Sequence, residues 1–81
     1  MNEPVVVLYS RHGCHLCEVA RSVLERHGLR PQEVDIESDP ALLARYTNDI
    51  PVVSIDGVER FRGRVDELLL RRLLAGRRGN A

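Results

Sequence analysis

One stretch of nine residues decides how this chain folds: Tyr9-Ser10-Arg11-His12-Gly13-Cys14-His15-Leu16-Cys17. It contains both cysteines of the protein and two of its three histidines. Residues 5–9, which lead into this stretch, are apolar and mostly β-branched, and they predict a strand buried on both faces. The apolar residues that follow it have helical spacing. The two cysteines, separated by two residues, therefore lie at the start of a predicted helix, where a dithiol is available for chemistry.

The predicted first helix carries an apolar stripe with the i, i+3, i+4, i+7, i+8 spacing of an amphipathic helix. Its members are Leu16, Val19, Ala20, Val23 and Leu24. Gly28 is a natural end for this helix. On this pattern Cys14 lies at the helix N-terminus, and Cys17, one turn further, faces the core with Leu16 and Val19 nearby.

The middle of the chain predicts a second strand and a short second helix. Val34 and Ile36 alternate with acidic residues over residues 31–37, which is typical of a strand covered on one side. Asp39-Pro40 provides an N-cap followed by a proline at the first helical position.

The last part of the chain predicts a hairpin and a third helix. Residues 50–55 form a third strand with Pro51 at its start, and Asp56-Gly57 is a strong hairpin turn leading into a fourth strand at residues 58–61. A final helix is expected over residues 65–75, with Val65, Leu68, Leu69 and Leu73 on its apolar stripe. Gly76 should end it and leave residues 77–81 as a flexible C-terminal tail.

Length and charge exclude several classes of protein. With 81 residues the chain forms one domain, which we place at residues 1–76. The 12 basic residues, all arginine, balance 12 acidic ones, so neither nucleic acid nor a membrane surface is an expected partner. No apolar run of roughly 18 residues predicts a membrane span, and the first residues lack a signal-peptide pattern. We expect a cytoplasmic monomer, and in that compartment a close cysteine pair indicates catalysis or metal binding.

The whole arrangement, over residues 4–75, resembles the thioredoxin superfamily in its small glutaredoxin-like form. The resemblance depends on the Cys14/Cys17 pair at a strand-to-helix junction, on Ile50-Pro51, and on Asp56-Gly57 followed by Gly63. It implies an α/β fold, a thioredoxin-like three-layer sandwich whose four-stranded mixed sheet has the order 2-1-3-4 and is covered by three helices. It also implies that the peptide bond preceding Pro51 is cis and that this proline lies beside the cysteines.

The chain departs from the family pattern at several positions. Glutaredoxins usually have Cys-Pro-Tyr-Cys, whereas His15 and Leu16 stand between these cysteines, so the tyrosine that helps to position glutathione is absent. Asp49 replaces the threonine that commonly precedes the Val-Pro pair, and residues 62–66 replace the Gly-Gly-x-Asp-Asp stretch. Thioredoxin's Trp-Cys-Gly-Pro-Cys is missing too. Glutathione and thioredoxin reductase therefore both remain open as electron donors.

The expected chemistry is dithiol–disulfide exchange, in which Cys14 and Cys17 are the catalytic residues. A thiolate attacks disulfides, and a helix N-terminus together with Arg11, His12 and His15 should lower the pKa of Cys14. Cys14 would attack a target disulfide, and Cys17 would resolve the mixed disulfide.

Substrate would be bound by Arg11, His15, Ile50 and Pro51, with the backbone of Ile50 pairing with the target as an added strand. The expected substrate is a disulfide-containing protein or a glutathione mixed disulfide, with glutathione or a reductase as electron donor. No tightly bound cofactor is expected.

Four other interpretations remain open at this point. His12, Cys14, His15 and Cys17 are zinc-type ligands, and a site shared across a dimer could hold zinc or an iron–sulfur cluster, although one turn of chain rarely surrounds a tetrahedral ion. The pair could instead be buried thiols without a role, or the protein could be an interaction module with vestigial cysteines. Within the redox interpretation, the protein could be a redoxin that thioredoxin reductase reduces and that serves one dedicated target.

Overall fold

Four strands form one mixed sheet in the computed structural model, which describes residues 3–79. The strands are β1 (Val6–Ser10), β2 (Gln32–Asp35), β3 (Val52–Ile55) and β4 (Val58–Arg62). Their order is β2-β1-β3-β4, with β1 and β2 parallel and the other two pairings antiparallel. The order 2-1-3-4 expected from the resemblance is confirmed.

Three helices cover the sheet, again as expected. They are α1 (His15–Arg26), α2 (Pro40–Tyr46) and α3 (Glu67–Gly79). The start of α2 follows the prediction, because the Asp39 side chain accepts a hydrogen bond of 2.9 Å from the Ala41 N–H and Pro40 takes the first helical position. Within the described residues, none of the helices combines the length and the apolar character that crossing a membrane would require.

The second strand ends earlier than residue 37, so its predicted boundary is wrong. A short 3₁₀ turn, Ile36–Ser38, replaces its last part. Asp35 causes this change, because its side chain accepts from the Glu37 N–H at 2.8 Å and its carbonyl accepts from the Ser38 hydroxyl at 2.6 Å. Such local hydrogen bonds compete with strand pairing.

The third helix also differs from the prediction at both ends. It begins at Glu67, where the side chain of Asp66 accepts a hydrogen bond of 3.1 Å from the Leu69 N–H. It continues through Gly76 to Gly79, so Gly76 does not end it. A glycine inside a helix costs only about 1 kcal/mol relative to alanine, which helical context can offset. Of the expected tail, residues 77–79 belong to α3 and residues 80–81 lie outside the described residues.

The main core lies between one sheet face and the pair α1 and α3. Its buried residues are Val6, Leu8, Ala20, Val23, Leu24, Leu29, Val53, Ile55, Phe61, Val65 and Leu70. A second, smaller core lies under α2 and is built around Ile36, Tyr46 and Val52. Because α2 has only seven residues, it covers the opposite sheet face incompletely. Val7 and Tyr9 are therefore half-buried, and β1 is fully buried on one face only.

Several residues of the predicted apolar stripes are exposed. On α1 the side chains of Leu16 and Val19, which were expected in the core, are 56% and 46% exposed. Cys17 is buried on this helix instead. On α3 the core is contacted by Leu70, with Leu73 and Leu74 partly buried, whereas Leu68 and Leu69 point to solvent. Periodicity identified both helices, but it did not fix the rotation of either about its axis.

We expect Leu70→Ala to lower the free energy of unfolding by about 2–5 kcal/mol, because Leu70 is completely buried and truncation leaves a cavity. Leu68→Ala is the matched control on the same helix and should change it by less than about 1 kcal/mol. Equilibrium unfolding in urea measures both values. Equal losses in the two variants would contradict the orientation of α3.

A cluster of three charged side chains joins the end of α1 to the start of α3. Glu67 accepts from Arg26 at 2.8 Å and contacts the His27 ring nitrogen Nε2 at 2.9 Å. The hydrogen bond with His27 and the charge of Arg26 hold the pKa of Glu67 below its ordinary value of 4.5. Ionised Glu67 therefore favours the folded state.

This contribution should disappear in acid. Because the pKa of Glu67 is lowered by folding, its stabilisation is present above the unfolded value and is lost as pH falls through the lower folded value. Urea unfolding of the wild type and Glu67→Gln, from about pH 6 to about pH 3, should show a stability difference that narrows towards acid. If the stability difference between wild type and Glu67→Gln stayed constant over this range, the linkage between Glu67 ionisation and stability would be ruled out. Glu25→Gln, which removes a carboxylate elsewhere on α1, serves as the control.

Candidate active site

Cys14 closes a tight turn between β1 and α1. Its N–H donates to the carbonyl of Arg11 at 3.2 Å, and Gly13 has a φ of 77°, a value that suits glycine. Cys14 itself has extended backbone angles and is the N-cap of α1, and its carbonyl accepts the first helical hydrogen bond from Glu18. The chain therefore leaves the central strand and places a cysteine at the helix N-terminus.

The sulfur of Cys14 is the capping atom of α1. It accepts a hydrogen bond of 3.2 Å from the backbone N–H of Cys17, which occupies the third helical position. A serine or aspartate oxygen usually fills this role. Because the first N–H groups of a helix carry partial positive charge, this position favours an anionic sulfur over a neutral thiol.

The two cysteines differ sharply in exposure. Cys14 is partly exposed, whereas Cys17 is only 2% exposed and belongs to the buried face of α1. Their sulfurs are joined in a disulfide, with the Cα atoms 5.2 Å apart, inside the usual range for such bridges. A reactant in solution can therefore reach Cys14, while Cys17 is in position to form the internal bond.

Arg11 lies next to this turn but is bound to a carboxylate of the chain itself. Its Nη2 and Nε donate to Glu37 at 3.0 and 3.3 Å. His12 and His15 are both exposed, and His15 is the first residue of α1. No group of three or more metal-ligating side chains is assembled among residues 3–79, so these histidines do not form one ligand cluster with the two cysteines.

Ile50 and Pro51 lie at the same end of the sheet as the dithiol, because Tyr9 near the end of β1 pairs with Val52 at the start of β3. The peptide bond between Ile50 and Pro51 is cis, as the resemblance implied. The side chain of Pro51 is buried, and its carbonyl accepts a hydrogen bond of 2.8 Å from the Gly63 N–H. Ile50 is half-buried and packs against the second core.

A charged cluster near this proline was not predicted from the sequence. Arg62, the last residue of β4, donates to Asp49 at 2.8 Å and forms a two-nitrogen contact with Glu59. Its guanidinium also lies 5.8 Å from the ring centroid of Tyr46. The hydrogen bond from Arg62 is the largest cause that lowers the pKa of Glu59.

The bulge in β4 explains why sequence alone missed this pair. Ser54 pairs with Glu59, but the preceding residue Val53 pairs with Phe61, so Arg60 is an extra residue in the strand. Without the bulge, two residues three apart would lie on opposite faces. With it, Glu59 and Arg62 share one face.

A groove of about 490 Å³ begins beside the dithiol and lies between α1 and the segment preceding α3. Along α1 it is lined by residues that include His15, Leu16 and Val19, and on the other side by Arg64 and Val65. The exposed side chains of Leu16 and Val19 therefore belong to a surface that adjoins the cysteines.

The fold and the site together define a class of protein. A sheet of order 2-1-3-4, a Cys-x-x-Cys pair at the helix that follows its central strand, and a cis-proline opening the next strand are the features of thioredoxin-like proteins. The chain belongs to the family described as Glutaredoxin-like domain (DUF836), whose family model matches residues 5–75. This membership and the cysteine pair support thiol–disulfide redox activity in general.

Solved structures agree with this assignment. The chain is similar to the structural-genomics target protein XcR50 from X. campestris, with 31% identity over 89% of this chain and 97% of that one and a TM-score of 0.74. The glutaredoxin-like protein NrdH-redoxin from Escherichia coli matches at 22% identity over 84% and 92% of the two chains, with a TM-score of 0.63.

A buckwheat glutaredoxin, solved as a glutathione complex, matches at 19% identity over 89% of this chain and 71% of its own length, with a TM-score of 0.61. The likenesses to NrdH-redoxin and to this glutaredoxin concern the fold alone. No curated protein matches the chain.

Proposed function

We propose that this protein is a dithiol–disulfide oxidoreductase in which Cys14 is the nucleophile and Cys17 the resolving cysteine. One observation carries the proposal: the sulfur of Cys14, a partly exposed residue, caps α1 and accepts the N–H of the buried Cys17. A sulfur at this position is favoured as a thiolate and can be reached by a disulfide. The second sulfur, held within bonding reach by the same helical turn, has no comparable access.

The reaction consists of two exchange steps. The Cys14 thiolate attacks one sulfur of the target, forming a mixed disulfide, while the target's second sulfur leaves as a thiolate and takes up a proton. Cys17 then loses its proton and attacks the Cys14 sulfur, which releases the first target sulfur as a second thiol. The target gains two electrons and two protons, and the protein is left with the Cys14–Cys17 disulfide.

The substrate would lie along the loop that precedes β3. Within residues 3–79, no turn or loop hydrogen bond engages the backbone N–H or C=O of Ile50, which supports pairing with an extended target segment there. Pro51 fixes the geometry of this loop from the interior. His15 would contact the substrate from the groove side, and Arg11 would do so only by exchanging its bond with Glu37.

The cycle requires a two-electron reductant, which we propose is either glutathione or a thioredoxin reductase acting in the reducing cytoplasm. No tightly bound cofactor is needed, because the two sulfurs store the electrons. The substrate is a protein disulfide or a glutathione mixed disulfide. Such a protein works as a monomer and has no need of nucleic acid or membrane.

Two coupled assays distinguish the donors. Both assays follow the reduction of a model protein disulfide at the expense of NADPH. One contains thioredoxin reductase, and the other contains glutathione and glutathione reductase. We expect turnover in at least one assay for the wild type and none for Cys14→Ser. Absence of turnover in both assays would contradict the proposed function.

Substitution of either cysteine should separate the two steps. Cys17→Ser should accumulate a mixed disulfide with the target, because the resolving thiol is missing, whereas Cys14→Ser should form none, since Cys17 is buried. Intact mass spectrometry of the quenched reaction detects the adduct. If Cys14→Ser formed the adduct as fast as Cys17→Ser, the assignment of nucleophile and resolving cysteine would be wrong.

A further inference from the structure

We propose that Asp49 is a specificity-determining residue of this dithiol, which selects against disulfides that carry carboxylates next to their sulfurs. Glutathione disulfide, with its carboxylates, belongs to the disfavoured class. The inference rests on the proposed function and concerns which substrates the same site accepts.

Two arginines lie at the end of the sheet where the dithiol is located. Arg11 follows the last residue of β1, and Arg62 is the last residue of β4. Since β1 and β4 are both antiparallel to β3, they run in the same direction and end at the same edge. These are cations that an incoming carboxylate would meet at the ends of the strands.

Both arginines are already bound to carboxylates of the chain. Arg11 is held by Glu37, while Arg62 uses its Nη1 on Asp49 and its Nε and Nη2 on Glu59. Three carboxylates thus occupy the guanidinium groups of Arg11 and Arg62, and a third arginine, Arg45, lies 5.2 Å from the ring centroid of Tyr46. A substrate carboxylate would have to displace one of these acids to reach Arg11 or Arg62, and it would be repelled by the acid that it approaches.

Among the three acids, Asp49 is placed where it can act on the substrate. It belongs to the loop that carries Ile50 and Pro51, and its N–H is anchored on the carbonyl of Tyr46 at 3.0 Å. Its side chain, 44% exposed, faces solvent as well as Arg62. A segment paired with the backbone of Ile50 therefore passes next to this carboxylate.

Arg64 differs from Arg11 and Arg62, because no carboxylate of the chain is paired with it among the described residues. It lies beyond Gly63 on the groove, and within residues 3–79 its side chain forms no ion pair. A carboxylate that entered from the groove would use Arg64 instead of Arg62. This alternative route can be tested separately by Arg64→Gln.

The experiment is a single-turnover reaction of the fully reduced protein with two small disulfides that both carry two methylene groups beside each sulfur. One is neutral, bis(2-hydroxyethyl) disulfide, and the other is the dianion of 3,3′-dithiodipropionic acid. Each rate is divided by the rate of the same disulfide with free dithiothreitol, which removes differences in intrinsic reactivity. Alkylation followed by mass spectrometry follows the loss of the two thiols at low ionic strength.

We expect the wild type to react at least about threefold faster with the neutral disulfide than with the dianion, the size of effect that one nearby surface charge produces. Asp49→Asn should narrow this ratio towards one, while Asp49→Glu should keep it. Added salt should narrow it in the wild type, because these charges are exposed. Glu25→Gln removes a charge of the same sign at a point on α1 roughly 16 Å from Cys14, and it should leave the ratio unchanged.

A wild-type ratio of one would overturn the inference. It would also be overturned if Asp49→Asn slowed both disulfides equally, because Asp49 would then only position the loop. If Arg64→Gln changed the ratio and Asp49→Asn did not, selection would belong to the groove and the assignment to Asp49 would fail. A wild type that reduces neither disulfide would refute the proposed function itself, a result distinct from an altered ratio.

Discussion

The hydrogen bond from the Cys17 N–H to the Cys14 sulfur is the interaction on which the site depends. It makes one cysteine the N-cap of α1 and the other a residue of the first helical turn. The same helix that buries Cys17 against the sheet thus leaves Cys14 partly exposed at its start. Because a helix N-terminus favours an anion, the role proposed for Cys14 as nucleophile depends on the same helix start as the fold.

The rest of the fold brings the proposed substrate-binding surface to that sulfur. The pairing of β1 with β3 places the Ile50–Pro51 loop at the dithiol end, and the bulged strand β4 ends there with Arg62. This end of the sheet has a groove on one side, lined by Leu16 and by charged residues such as Arg64, and it has ion-paired arginines at the strand ends. The proposed dithiol chemistry would therefore take place between this groove and these ion pairs.

The sequence was sufficient where local physics decides structure. Asp39-Pro40 starts α2, and Asp56-Gly57 forms the hairpin with positive φ at both residues, because capping and turn preferences act within a few residues. It was not sufficient where tertiary contacts decide. The exposure of Leu16 depends on how α1 is rotated against the sheet, and the bonds of Arg11 and Arg62 join residues 26 and 13 positions apart. Periodicity carries no information about either.

We expect the helix cap to keep Cys14 a thiolate near neutral pH, and the pH dependence of its alkylation measures this property. The reduced protein is treated with iodoacetamide over a range of pH, and the rate at each cysteine is measured by peptide mass spectrometry. Cys14 should react first, with a midpoint well below the pKa of an ordinary thiol, while Cys17 stays protected. A midpoint at or above the ordinary value, or faster labelling of Cys17, would contradict this expectation.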